Sequence, residues 1–249
     1  IRTLVNFMRN NLKLQKLDIL DKLNGLKYNS FSRARQRKFK NTSLRMIVLS
    51  EKSDEDTRFM LFERINTGSD LLKDMEKRKG IQRGIFTDFL YEASEFPLFK
   101  QLTSFTPKTE ERGEPQELIL RFFAYSDNYK NYTGNLNKFL TEYINEKNKG
   151  FDKDAYTTRF KTILGFVKEY FPKGFLQELR HNYTARGRFE ALSVGVYLAL
   201  QECPDLKANN VEWLESEEFL AQISGGGTNT KTKLRDRIEF VRDKLLANG

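Results

Sequence analysis

Apolar residues recur every three or four positions along most of this chain, the spacing of one face of an α-helix. Leu4, Phe7 and Met8 predict a helix over residues 1–10 that begins upstream. Leu17, Leu20 and Leu23 predict a short second helix, stopped by Asn24-Gly25. Residues Ser43–Ser50 break the rhythm: Met46, Ile47, Val48 and Leu49 form a continuous apolar run, which predicts one strand. Asp54–Asn66 reads as a helix with Phe59, Phe62 and Ile65 on one stripe, stopped by Asn66-Thr67-Gly68, and a further helix is predicted over Leu72–Glu92.

Residues 103–115 (TSFTPKTEERGEP) are polar and hold Pro107, Gly113 and Pro115, so they read as a linker or subdomain boundary. Beyond them the pattern predicts helices over 116–130, 135–147, 152–171, 185–202, 210–223 and 230–247. The expected architecture is α+β, mostly α: an incomplete N-terminal α+β domain (1–110), then a helical bundle (111–249).

Charge changes this picture. The 249 residues hold 43 Lys and Arg against 34 Asp and Glu, a net +9. Residues 1–50 alone hold 12 Lys and Arg against Asp18 and Asp21, a net +10, and the other 199 are close to neutral. The excess concentrates in Arg33, Arg35, Arg37, Lys38 and Lys40 (RARQRKFK), followed by Arg45. Such clustering is the footprint of a surface that binds a polyanion, and DNA is the expected partner. A solvated face or a basic loop accounts for the same run without function. A membrane surface is disfavoured, because the run lacks an apolar face. No apolar stretch approaches the ~20 residues of a membrane span. The chain opens on Ile1 with no signal-like segment, so it reads as a fragment of a cytoplasmic protein.

One Cys and one His limit the chemistry. They exclude an internal disulfide framework, a multi-thiolate metal site and a multi-His centre, and no metal site is expected. His181 lies beside Arg180 and has no carboxylate at local spacing, and Cys203 reads as a small, partly buried residue. Phe122, Phe123, Tyr125, Tyr129 and Tyr132 could stack on bases, but their spacing favours packing between helices. Glu215, Glu217 and Glu218 read as a solvated face. Gly225-Gly226-Gly227 follows a helix rather than a strand, so it reads as a flexible linker leading to a Thr or Asn helix cap.

The segment Phe62-Glu-Arg-Ile-Asn-Thr-Gly-Ser69, with Glu76 and Arg78 beyond it, admits two readings. Asn66 and Gly68 can both adopt positive φ and simply join two helices. Alternatively, exposed amides and the Asn66 side chain hold a phosphate at the next helix N-terminus, with Arg64 and Arg78 supplying charge and Glu76 orienting an arginine or acting as a base.

Leu44-Arg-Met-Ile-Val-Leu-Ser-Glu51, Phe62-Glu-Arg-Ile-Asn-Thr-Gly68, Leu72 with Glu76 and Arg78, and Glu117-Leu-Ile-Leu-Arg-Phe-Phe-Ala124 occur in that order. Together they resemble the N-terminal domain family of GmrSD-type restriction endonucleases. Tyr129, Tyr132, Phe139, Leu140, Tyr143, Asn148, Arg188-Phe189 and the closing helix Lys233–Leu246 continue the resemblance over nearly the whole chain. It implies a ParB/sulfiredoxin-like fold in bacterial defence against phage and foreign DNA. It also implies a nucleoside triphosphate with Mg as cofactor, near Asn66, Thr67, Gly68, Arg64 and Arg78, with Arg121 bracing the helical part. The family's Asp-Gly-Gln-Gln-Arg motif, credited with nucleotide binding and hydrolysis, would lie upstream of Ile1. If the protein is an enzyme, it is therefore expected to be a nucleotide-hydrolysing or DNA-cleaving hydrolase that depends on that motif, with Glu76 the one catalytic candidate in this chain. The alternative is a non-enzymatic adaptor or regulatory subunit whose helical half recruits a nuclease or methyltransferase; separately, a protein partner or a second copy of the chain is an expected partner besides DNA. A self-contained nuclease is disfavoured, because neither clustered metal-binding carboxylates nor a His base is evident.

Overall fold

The structure, a computed structural model, describes residues 2–15, 17, 20–43, 75, 78, 82–177, 183–224 and 229–247. The strand expected at 43–50, the helix at 54–66 and the Gly225–Gly227 loop lie outside them, apart from Ser43. The chain divides into two compact units, Ile1–Lys52 and Ser53–Gly249.

The first unit folds around aromatic rings. Helix α1 (Arg2–Met8) ends where Asn10 takes a φ of 64°, which asparagine tolerates, and its side chain accepts from the Asn29 amide at 3.1 Å. A turn of 3₁₀ helix (Asp21–Leu23) replaces the short helix expected there, because Gly25 at φ 80° folds the backbone back on Leu14. A second such turn (Tyr28–Ser30) leads to α2 (Arg33–Lys40). Phe7 meets the rings of Tyr28, Phe31 and Phe39 edge-on at 5.5–5.7 Å between centroids, an arrangement that favours their quadrupoles.

The second unit is helical: α3 (Ile85–Ser94), α4 (Pro97–Leu102), α5 (Pro107–Glu111), α6 (Glu114–Asn128), α7 (Leu136–Lys149), α8 (Lys153–Tyr170), α9 (Arg186–Glu202), α10 (Glu217–Ile223) and α11 (Lys231–Ala247). A two-residue antiparallel pair, β1 (Leu176–Gln177) and β2 (Tyr183–Thr184), joins α8 to α9. Caps set most starts: Asn135, Asp152 and Ser216 each accept from the amide three residues on, at 3.0–3.2 Å. Thr230 does the same for Lys233, the Thr cap expected beyond the glycine loop.

Helices α6 and α9 are central. Every residue from Pro115 to Tyr125 is buried, as is every residue from Arg188 to Val196. At Gly195 a Cβ would lie 2.6 Å from the Val241 side chain, so glycine is what lets α11 approach α9. The five aromatics between Phe122 and Tyr132 are core, as their spacing suggested.

Two expectations change. The helix predicted over 72–92 is interrupted: Met75 and Arg78 are helical, Gln82–Gly84 are not, and α3 begins at Ile85. The Asn148 side chain supplies the reason, accepting from the Phe86 and Thr87 amides at 2.9 and 3.2 Å. The polar stretch 103–115 lies inside the second unit, while the chain divides between residues 52 and 53. That stretch forms α5, and Ser104 exchanges two hydrogen bonds of 3.0 Å with Thr184.

Candidate nucleic-acid interface

The basic run folds as a helix because Ser32 caps it, its hydroxyl accepting from the Arg35 amide at 3.4 Å, and because one side has partners. Phe39 packs on Phe7 at 5.5 Å. The Gln36 side chain donates to the Phe31 carbonyl at 2.9 Å and to that of Tyr28 at 3.4 Å. These two residues turn inward, and Arg33, Arg35, Arg37, Lys38 and Lys40 are all exposed. Arg37, Lys38 and Lys40 fall in the last turn, where the helix dipole favours cations. Arg35 sits over the Phe31 ring, 5.7 Å from its centroid.

No carboxylate pairs with any of these five cations among the described residues. Asp21 is the one acid of the unit that the described residues include, and its carboxylate accepts from the neighbouring Lys22 amide. Among the described residues, the charge of α2 is thus left without a carboxylate partner. Arg45, the sixth candidate, lies outside the described residues.

The nucleotide candidates fare differently. Arg64, Asn66, Thr67, Gly68 and Glu76 lie outside the described residues, as does His181. Arg78 is described, and it is 2% exposed. Its guanidinium donates to Glu117 at 2.5 Å and to the Asn137 side chain at 3.1 Å. Glu117 also accepts from Arg121 at 3.1 Å, Arg121 donates to Glu190 at 2.7 Å, and Glu190 in turn pairs with Arg237. Three guanidiniums and two carboxylates therefore alternate through the core, tying Arg78 to α6, α9 and α11. Burial pushes the Glu117 carboxyl up, but Arg78 and Arg121 outweigh it and hold it below the usual range. Burial likewise raises Glu190, and Arg237 with Arg121 brings it below that range. Arg121 braces the helical part, as the resemblance implied.

A second cluster locks α6, α7 and α8. Asp127 accepts from the Tyr143 and Tyr156 hydroxyls at 2.6 and 2.7 Å and pairs with Arg159. Arg159 lies 4.9 and 4.8 Å over the rings of Tyr156 and Tyr197. Burial raises the Asp127 carboxyl, but these hydrogen bonds carry it below its ordinary value. The acidic residues read as a solvated face, Glu215, Glu217 and Glu218, are exposed, and Glu215 pairs with Arg188 and Glu218 with Lys244. Cys203 is partly buried.

Sequence reasoning passed over Glu117, Glu190, Arg237, Asp127 and the capping role of Asn148. A signal existed for the first: Glu117 and Arg121 stand four apart inside an otherwise apolar run, and a charge buried in such a run needs a partner. Nothing local announces Asn148, whose amide partners lie about sixty residues away.

Among the described residues, no group of three His, Cys, Asp or Glu side chains could hold a metal ion. No helix among them is long and apolar enough to cross a membrane. No family model, curated protein or solved structure matches this chain.

Proposed function

We propose that this protein is a DNA-interacting component of bacterial defence against foreign DNA, acting in the cytoplasm, with the first unit as its contact to DNA. The observation that carries the reading is α2, a helix whose five cations are exposed and have no carboxylate partner among the described residues. Unneutralised Lys and Arg on one element release condensed counterions when they meet a phosphate backbone, and this is the main source of non-specific DNA affinity.

The defence role and the nucleotide rest on the resemblance to the GmrSD-type family, which also suggests that the first part of the chain belongs to a ParB/sulfiredoxin-like domain. On that reading Arg64, Asn66, Thr67 and Gly68 face a nucleoside triphosphate with its Mg. Arg78 instead serves the helical unit through Glu117.

The test is a titration of the full chain against a labelled 20-base-pair duplex at low salt. Arg33→Gln, Arg35→Gln, Arg37→Gln and Lys38→Gln combined are expected to weaken binding by at least about tenfold. Unchanged affinity in that variant would remove α2 from the interface.

A further inference from the structure

Helix geometry divides the cations of α2 into two sets. At 3.6 residues per turn, Arg33, Arg37 and Lys40 fall on one flank, at positions i, i+4 and i+7. Arg35 and Lys38 fall on the other, and Arg35 is already held over the Phe31 ring. Phe39 and Gln36 fix which side faces inward, so a ligand seated along one flank meets three cations and one seated along the other meets two, of which Arg35 is engaged with a ring.

Length and chemistry then select the contact. The stripe from Arg33 to Lys40 rises about 10 Å at 1.5 Å per residue. One strand of duplex DNA carries a phosphate every ~3.4 Å of axis, about twice that measured along the strand itself, so the stripe faces about two of them directly when α2 lies along a strand, and the long end side chains reach a third. Gln36 is the residue of α2 that offers both a donor and an acceptor in its side chain, the pair that reads adenine, and its amide is engaged with the Phe31 and Tyr28 carbonyls. What remains outward is cationic, and although arginine and lysine can read guanine, those set on phosphates are not free to do so.

We infer that α2 lies along the DNA backbone, with Arg33, Arg37 and Lys40 on successive phosphates, and that it holds DNA without reading sequence. The inference rests on the proposed DNA-binding role of the first unit and assigns its contact mode.

Two charge-matched variants of the full chain separate the two ideas: R33Q/R37Q/K40Q on the stripe, and R35Q/K38Q/K22Q off it. Binding to two 20-base-pair duplexes, one A·T-rich and one G·C-rich, is followed from 50 to 200 mM salt. The stripe variant is expected to lose about 2.7 from the slope of log K against log salt, three contacts at ~0.9 each. The control is expected to lose less than about one. R33K/R37K, which keeps the charge, is expected to retain the wild-type slope, and the two duplexes to bind within about twofold of each other. Equal losses in the two charge-matched variants, or a preference of about tenfold for one duplex, would overturn the inference and leave the DNA-binding reading intact. Failure of the wild-type chain to bind either duplex would remove the DNA-binding reading itself.

Discussion

Glu190 is the residue on which most of the buried charge turns. One carboxylate oxygen takes Arg121 at 2.7 Å and the other takes Arg237, with all three side chains almost fully buried. Removing one member of such a set leaves the other charges in the core without compensation, which costs about 3–5 kcal/mol. Glu190→Gln should therefore lower the urea midpoint sharply. Glu92→Gln, which breaks a half-exposed pair with Lys153, should cost less than about 1 kcal/mol. The pH dependence follows the same groups. Glu117 and Glu190 are both held below the ordinary carboxylate range in the folded state. Their contribution is therefore fully present above the unfolded value of ~4.3 and is lost as pH falls through the folded values. Stability measured by urea unfolding should decline below about pH 4, and Glu190→Gln should flatten that decline. A decline of the same steepness in the variant would show that other carboxylates set it.

At the scale of elements, Asn148 joins two helices distant in sequence. It sits at the end of α7 and caps α3, and a Cβ on Gly84 would collide with its side chain. Asn148→Ala should cost about 1–2 kcal/mol in thermal or urea unfolding, as other lost caps do, whereas Asn148→Asp keeps the acceptor and should cost less. Equal losses in the two would mean that packing, not capping, holds α3. The same junction explains what the sequence does and does not disclose. Helices α6 to α9 and α11 are readable from the 3.6-residue period, because each presents apolar residues at that spacing. Gly80 and Gly84 mark the break at Gln82–Gly84 locally, but the side chain that caps the next helix lies on α7 and cannot be read there. The apolar run around Glu117 and Arg121 signals that α6 is buried, but the partners those charges take, Arg78 and Glu190, come only from tertiary packing. On α2 the cations are plain in the sequence. Their division into two flanks depends on Phe39 and Gln36 turning inward, which needs Phe7, Tyr28 and Phe31 in place.

Across the whole molecule, charge and structure divide at the same point. Residues 1–52 hold 13 Lys and Arg against three acids, a net +10, and the remaining residues are close to neutral. Each unit has its own core, aromatic rings around Phe7 in the first and a helical bundle braced by paired charges in the second. In the second unit, the arginines of the buried chain have carboxylates beside them; in the first, the exposed cations of α2 have none among the described residues. On the proposed reading, the first unit contacts DNA, and the paired charges of the second brace its helices. The most direct test is the salt dependence of duplex binding by the unmodified full chain, with fluorescence anisotropy recorded between 50 and 200 mM NaCl. A linear fall of log K with log salt, with a slope of about −2.7 or steeper, is the expected result. Affinity that is flat across that range, or no binding at 50 mM, would contradict the account.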